Sequence, residues 1–216
     1  MSYYFCYILL YQIFFVSLPY KNKIKYMYTL NITDSNKLYF TSDTHIGHYN
    51  ICRYCNRPFE SRSDMDKSLV ENWNRVVPED GIVVHCGDFT LIHKENMDKY
   101  QKLFNKLNGK ILLCRGNHDM IPLTTEPIGK LIASVDIAMI EVDGKKIMAS
   151  HYPMVAYPAD YQVFGHIHTL SDGLCHGVDG DVNTKLRKTQ YDVGVDQNNY
   201  TPVSYKQLCE IFKNRE

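Results

Sequence analysis

Residues 110–119 read Lys-Ile-Leu-Leu-Cys-Arg-Gly-Asn-His-Asp, an apolar run that changes abruptly into a glycine and three polar residues. A short apolar run bounded by turn residues is typical of a buried β-strand. The polar side chains then lie where the strand becomes a loop, which is where layered α/β proteins bind ligands. This stretch therefore predicts a buried strand whose carboxyl end carries residues that could bind a ligand or act in catalysis.

Similar β-rich runs occur on both sides of it and alternate with amphipathic stretches, as in an α/β layered domain. The predicted strands cover residues 37–42, 82–86, 110–114, 137–142, 146–150, 162–164 and 191–195. The predicted helices cover residues 64–77, 95–107 and 205–212. Ser63, with Asp66 three residues later, is the expected N-cap of the first helix, and Asp143-Gly144 predicts a tight hairpin turn.

Five of the predicted strands are followed by acidic, amide or imidazole side chains. Each motif alone is weak evidence, but their joint occurrence at strand ends is a poor fit to coincidence. Oxygen and nitrogen donors without an obligatory thiolate suit manganese, iron, zinc, cobalt or nickel. So many donors require two ions, and Asp88 is the natural bridging carboxylate. A water between two such ions is acidified to hydroxide and attacks phosphorus in line.

The blocks that carry this pattern resemble the five signature blocks of calcineurin-like metallophosphoesterases, and they occur in the same order. They are Asp43-x-His45, Gly87-Asp88, Gly116-Asn-His-Asp119, His151 and Gly165-His-x-His168. The resemblance implies an α/β fold, a four-layer α-β-β-α sandwich with two facing mixed β-sheets. It also implies a hydrolase that cleaves phosphate esters with two divalent ions, most often manganese.

The resemblance further assigns a role to each residue of these blocks. The first ion would be held by Asp43, His45, Asp88 and His168. The second would be held by Asp88, Asn117, His151 and His166. His118 would be the catalytic residue, stabilising the transition state or protonating the leaving oxygen. We expect Asp119 or a backbone carbonyl to orient His118.

Other segments resemble a small bacterial and phage-borne subgroup of that family. They are residues 45–50, 56–59 and 194–196, with Tyr200-x-Pro202. By this resemblance His48 and Asn50 line the substrate pocket. Arg115 is similar in position to an arginine that grips substrate phosphate, with a surface ion pair as its alternative.

The predicted substrate is a phosphodiester, with nucleotide-derived esters among the candidates. Asp88 continues as Phe89-Thr-Leu and not as the Asp-Arg-Gly sequence of the protein serine/threonine phosphatases, which argues against a phosphoprotein substrate. A phosphomonoesterase is the nearest alternative. A non-catalytic scaffold with the same fold is another, although a scaffold has no use for His118.

The chain of 216 residues, with 44% apolar residues, predicts one domain. We place it at residues 37–216, after an apolar leader and lead-in over residues 1–36 that need not belong to the native domain. The apolar segment 3–18 is short for a membrane span and lacks the features of a secretory signal. The lysines that follow it would keep the domain cytoplasmic even if the segment were an anchor. Met27 is an alternative start.

The charge and the cysteine content limit which partners, compartments and further metal sites the sequence supports. The 24 basic and 24 acidic residues balance, so the bulk charge gives no argument for a nucleic-acid partner. No obligatory nucleic-acid or protein partner is inferred, and the oligomeric state is left open. Seven scattered cysteines suggest reduced, packed thiols in the cytoplasm. Cys52-x-x-Cys55 lacks the second pair of a zinc knuckle. The acidic, glycine-containing run 172–181 is interpreted as a solvated loop, with a cation site as the alternative.

Overall fold

The computed structural model describes residues 27–93, 95–169 and 186–215. The segment 3–18 and the run 172–181 lie outside the described residues. The strands are β1 (Met27–Ile32), β2 (Leu38–Thr41), β3 (Ile82–His85), β4 (Lys110–Cys114), β5 (Leu131–Val135), β6 (Ile137–Val142), β7 (Lys145–Ser150), β8 (Tyr161–Phe164), β9 (Gln190–Asp192) and β10 (Val203–Ser204). The α-helices are α1 (Asn50–Tyr54), α2 (Arg62–Val76), α3 (Met97–Lys106) and α4 (Tyr205–Lys213). None of these helices has both the length and the apolar character needed to cross a bilayer.

The strands form two five-stranded mixed sheets. The first has the order β1-β6-β7-β8-β9, in which only the β6–β7 pair is antiparallel. The second has the order β10-β2-β3-β4-β5, in which only the β10–β2 pair is antiparallel. The predicted α/β fold with two facing mixed sheets is confirmed.

Apolar side chains of both sheets share one core between them. Phe40 and Leu112 of the second sheet belong to the same buried cluster as Ile140 and Val163 of the first. Because side chains alternate along a strand, the second sheet presents another apolar row on its outer face. That row packs in a second cluster with residues of α2 and α3, including Trp73 and Phe104. The second sheet is therefore held on both faces.

Most predicted elements are present, with ends that differ by a few residues. The predicted hairpin joins β6 to β7, and Asp143 and Gly144 both have positive φ, as a tight turn between twisted strands requires. Strands β1, β5 and β10 and helix α1 were not predicted. Helix α2 begins earlier than expected, because Ser61 and not Ser63 caps it by accepting a hydrogen bond from the Asp64 N–H.

Strand β1 lies in the segment that the sequence analysis assigned to the lead-in. Its six residues pair in parallel with β6, and Tyr28, Leu30 and Ile32 pack against the core between the sheets. The part of the lead-in from Met27 onward thus supplies an edge strand. The placement of the domain start at residue 37 omits this strand.

We expect removal of residues 1–26 to leave a folded, active protein, and removal of residues 1–32 to destabilise it. The longer deletion removes β1 and exposes apolar surface, which lowers the free energy of unfolding by about 3 kcal/mol. Urea unfolding of the two truncated proteins measures the difference. Aggregation or inactivity of the shorter deletion would show instead that residues 1–26 are needed by the domain.

Candidate metal centre

The topology brings the polar strand ends of both sheets to one place. Strands β2, β3 and β4 are parallel neighbours, so the residues after them emerge at the same edge of the second sheet. Strands β7, β8 and β9 are parallel neighbours in the first sheet and deliver their following residues in the same way. All seven predicted ligands lie in this region: Asp43, His45, Asp88, Asn117, His151, His166 and His168.

Three of these residues form a first group. Single ligand atoms of Asp43, His45 and His168 all lie within 4.8 Å of one another, and all three residues are buried. His168 Nε2 is 3.9 Å from Asp43 Oδ1. His45 Nε2 is 3.5 Å from Asp88 Oδ2, so Asp88 adjoins this group.

A second group surrounds His151. Its Nε2 lies 3.0 Å from Asn117 Oδ1, 3.2 Å from His166 Nδ1 and 3.5 Å from Asp88 Oδ2. The same Asp88 oxygen is therefore 3.5 Å from a histidine nitrogen of each group. Asp88 occupies the position between the two groups that a bridging carboxylate needs.

The donor atoms face one another in a way that fits a cation. His151 Nδ1 lies 2.8 Å from the Cys86 carbonyl oxygen and donates a hydrogen bond to it. In the neutral ring Nε2 then carries a lone pair, and this lone pair faces the Asn117 side-chain oxygen. Burial lowers the pKa of both His151 and His166 to about 3, so both rings are neutral, as metal ligands must be. His45 Nε2 is buried and has no hydrogen-bond partner among the residues that the structure describes. An ion would satisfy these lone pairs.

The raised pKa values of the buried carboxyl groups indicate that too little positive charge surrounds them. Burial raises the pKa of Asp43 well above its ordinary value, and the nearby carboxylates of Asp88 and Asp192 raise it further. Burial likewise raises the pKa of Asp88. Carboxylates crowded in a buried site are stable as anions only beside cations. The residues present therefore fit divalent ions.

Two glycines allow the backbone to approach these carboxylates closely. A Cβ at Gly116 would lie 2.1 Å from Asp88 Oδ1, and a Cβ at Gly165 would lie 2.3 Å from Asp43 Oδ2. Both distances are far inside van der Waals contact, so a side chain at either position would displace a ligand. The backbone can therefore pass this close to the two carboxylates only because both positions are glycine.

Five of the seven predicted ligands have a left-handed backbone. Their φ values lie between 47° and 73°, a region that residues other than glycine seldom adopt. The residues are Asp43, His45, Asp88, His166 and His168. Such conformations cluster at functional sites, where the surrounding structure holds them in place.

A buried ion pair supports the first group from behind. His168 Nδ1 lies 2.8 Å from Asp196 Oδ2, and Arg57 donates to both Asp196 oxygens at 2.7 and 2.9 Å. The other donors of Arg57 reach the carbonyls of Asp43 and Thr44. Sequence reasoning missed this contact. Its only signal was the subgroup resemblance of residues 56–59 and 194–196.

His118 lies against the first group, and His48 lies beside it. The His118 ring is 5.3 Å from the His45 ring and 5.8 Å from the His48 ring, measured between centroids. The backbone N–H of His118 donates to Asp88 Oδ1 at 2.9 Å. His48 is half-buried, at the outer side of the centre. The structure thus places the predicted catalytic histidine next to the predicted metal ligands.

The expectation that Asp119 orients His118 is wrong. Its two carboxylate oxygens accept hydrogen bonds from the backbone N–H groups of Phe89 and Gly116, at 2.9 and 2.8 Å. Burial raises the pKa of Asp119 to about 7. The side chain therefore joins the loop after β3 to the loop after β4. It does not orient His118, because neighbouring residues in a tight turn point their side chains in different directions.

Two further residues, Arg115 and Asn50, were predicted to contact substrate. Arg115 pairs with Asp136 at 3.0 Å, which is the ion-pair alternative weighed from the sequence. Asn50 is exposed at the start of α1. Contact of either residue with substrate stays a prediction. Tyr152, which the sequence analysis did not select, has its hydroxyl 3.4 Å from Asn117 Oδ1 and its ring 4.5 Å from the His166 ring.

The two cysteines of the Cys52-x-x-Cys55 motif are buried and free, and they have different neighbours. The Cys52 sulfur lies 3.5 Å from the sulfur of Met65, within the core. The Cys55 thiol is grouped with His168 and Asp196, within 4.8 Å. Within the described residues, the pair does not act as one ligand unit.

Comparisons with known proteins agree with this geometry. The family model of the calcineurin-like phosphoesterase superfamily domain matches residues 37–184. An uncharacterized protein of Methanocaldococcus jannaschii is 32% identical over 180 residues, which cover 82% of this chain and 92% of the relative. A solved protein of unknown function from Aquifex aeolicus superposes with a TM-score of 0.60 at 25% identity, covering 81% of this chain and 98% of that one. The chain therefore belongs to the calcineurin-like phosphoesterase superfamily.

Proposed function

We propose that this protein is a phosphodiesterase that works with two divalent metal ions. The superfamily is one of phosphoester hydrolases that generally use divalent metals. The observation that carries the proposal is the position of Asp88, whose Oδ2 lies 3.5 Å from a histidine nitrogen of each ligand group. One carboxylate between two sets of imidazoles is the arrangement that a dinuclear centre requires.

The two ions would be held by two sets of ligands that share Asp88. The first would be held by Asp43, His45, Asp88 and His168, and the second by Asp88, Asn117, His151 and His166. Such ions supply a water of lowered pKa and neutralise charge on the phosphoryl oxygens. Manganese is the expected metal, and iron, zinc, nickel and cobalt are alternatives because the donors are oxygen and nitrogen.

The residues around these ligands complete the site. His118 donates a proton or a hydrogen bond to the leaving oxygen, and its backbone hydrogen bond to Asp88 fixes its distance from the ligands. His48, beside His118, contacts the phosphate or its organic group. Asp196 holds the Nδ1–H of His168, which leaves Nε2 of that ring for the first ion.

We expect Asp196→Asn to weaken the first ion site while leaving the second unchanged. Losing an outer partner of a metal-bound histidine lowers metal affinity by about 10- to 100-fold. Manganese titration followed by calorimetry measures the two sites separately. Asp136→Asn is the matched control, because Asp136 is half-exposed and pairs with Arg115 away from the ligands. Equal binding by the two variants would contradict the role given to Asp196.

The proposed activity is tested with purified protein and a panel of phosphate esters. We expect hydrolysis to require a divalent transition metal, and diesters to be cleaved faster than phosphomonoesters and phosphoserine peptides. Elemental analysis of the same samples reports the bound ions. Full activity after exhaustive chelation would refute the metal requirement. Faster turnover of monoesters or phosphopeptides would refute the substrate preference.

A further inference from the structure

Residues 43–57, called here the 43–57 segment, have their end joined to their start by one side chain. Arg57 donates from Nη2 to the Asp43 carbonyl at 2.7 Å and from Nη1 to the Thr44 carbonyl at 3.2 Å. The segment carries His45, a predicted ligand, and His48, whose ring centroid lies 5.4 Å from that of His45. Opening the segment therefore breaks both bonds made by Arg57.

The same guanidinium also reaches the first sheet. Its Nε and Nη2 donate to the two carboxylate oxygens of Asp196, a residue shortly after β9, at 2.7 and 2.9 Å. Asp196 Oδ2 lies 2.8 Å from Nδ1 of His168, which follows β8. Arg57 therefore joins the loop after β2 in the second sheet to the histidine after β8 in the first sheet.

The residues that Arg57 supports have a strained backbone. Asp43, His45 and His168 have φ values of 55°, 49° and 47°. Such conformations persist only where the surrounding structure holds them. Arg57 binds the carbonyl of the first, the carbonyl directly before the second, and the carboxylate partner of the third. Its side chain is 0% exposed, so water does not replace these bonds.

The geometry of these contacts requires an arginine. Four N–H groups of one planar fork are used, two on the Asp196 carboxylate and two on backbone carbonyls. A lysine keeps the charge but has three N–H groups on a single nitrogen, so it cannot make the paired contact and also reach both carbonyls. Exchanging arginine for lysine therefore separates geometry from charge at this position.

We propose that Arg57 is a positioning residue that arranges the ligands of the first ion before the ion binds. It acts through the backbone of the 43–57 segment and through Asp196, and its own atoms hold no ion. The inference rests on the proposed function, in which Asp43, His45 and His168 are ligands. It goes beyond the contact between Asp196 and His168, because one side chain then holds ligands from both sheets.

Manganese titration of Arg57→Lys tests the proposal. His151→Ala and His45→Ala each remove a predicted ligand of one group, so the two backgrounds report the first and the second ion separately. In the His151→Ala background we expect Arg57→Lys to lower the affinity about 10- to 100-fold, the range for losing an outer partner. In the His45→Ala background we expect no change. Arg75→Lys is the matched control, because Arg75 is exposed on α2 and contacts the Thr201 hydroxyl at 3.5 Å.

A measurement without metal tests the same role. The His45 N–H donates to the Asp88 carbonyl at 2.9 Å. If Arg57 holds the 43–57 segment, hydrogen exchange at this amide is faster in metal-free Arg57→Lys than in metal-free Arg75→Lys. Unchanged exchange, unchanged affinity, or equal weakening in both backgrounds would each overturn the inference.

A double variant serves if Arg57→Lys fails to fold. Arg57→Gln combined with Asp196→Asn leaves neither partner as an unpaired buried charge. We expect its affinity for the first ion to be lower than that of Asp196→Asn alone, because the Asp43 and Thr44 carbonyls also lose their donor. Equal affinity would show that Arg57 does not hold the 43–57 segment, which overturns the inference.

These measurements use no ester, so the inference and the proposed function fail separately. If no ester is hydrolysed but Arg57→Lys weakens the first ion alone, the positioning role stands and the hydrolase proposal fails. If esters are cleaved but Arg57→Lys binds manganese like the control at both sites, the hydrolase proposal stands and the positioning role fails.

Discussion

His118→Asn is expected to keep about two metal ions per chain while its turnover number falls by about 10²- to 10⁴-fold, the range for losing a general acid or base. We expect the metal to be retained because the His118 ring lies against the His45 ring without belonging to either ligand group. Its backbone hydrogen bond to Asp88 does not involve the imidazole, so asparagine preserves it. Elemental analysis and single-turnover kinetics under saturating manganese measure the two quantities.

The choice of leaving group shows which task His118 performs. A p-nitrophenolate leaves without protonation, whereas an alkoxide needs a proton. If His118 is the acid, the variant should lose much more activity toward alkyl diesters than toward p-nitrophenyl diesters. A similar loss for both would assign it to transition-state stabilisation. Loss of the metal ions, or nearly full activity, would refute both roles.

Asp88→Asn is expected to act in the opposite way, with loss of metal first and loss of activity as its consequence. The amide has one oxygen and no charge, so it cannot serve both groups as the carboxylate does. We expect the affinity of both sites to fall by more than the roughly 10- to 100-fold that an outer partner contributes. Asp136→Asn, which alters a half-exposed carboxylate, should bind manganese normally.

The same titration separates bridging from other roles of Asp88. Asp88 oxygens lie near His45, His151 and the His118 N–H, so a variant that fails to fold would also lose metal. Thermal unfolding without added metal serves as the check on folding. A folded Asp88→Asn protein that lost one ion and kept the other would show that Asp88 belongs to a single site.

The candidate ligands could be selected from sequence because each follows a strand that the apolar pattern predicts, and the family resemblance then gave each of them a role. The supporting ion pair could not, since Arg57 and Asp196 are 139 positions apart and meet only when the two sheets close on each other. Their partner His168 is among the predicted ligands, but the contact that holds its ring was not predicted. Local sequence patterns indicate where candidate ligands lie. The residues that hold those ligands in place are identified only from tertiary contacts.

The missed elements have local causes. Strand β1 alternates exposed and half-buried residues at a sheet edge, and its pairing partner β6 lies more than a hundred residues later. The start of α2 was misplaced because Ser61 and Ser63 each have an aspartate three residues on, so both match a helix N-terminus. Asp119 was misassigned because nearness in sequence does not give the direction of a side chain.

The left-handed backbone of the five predicted ligands lowers the free energy of unfolding at positions that the proposed function needs. Each such residue costs about 1 kcal/mol or more, so the five together withhold roughly 5 kcal/mol from a fold of ordinary net stability, about 5 to 15 kcal/mol. Glycine at these positions would relieve that tension and stabilise the metal-free protein, but it would remove the ligand atoms. Under the proposed function, aspartate and histidine at these positions supply ligand atoms, and the binding of metal ions would offset the strain. The proposed function therefore implies a protein whose free energy of unfolding is higher with metal bound than without it.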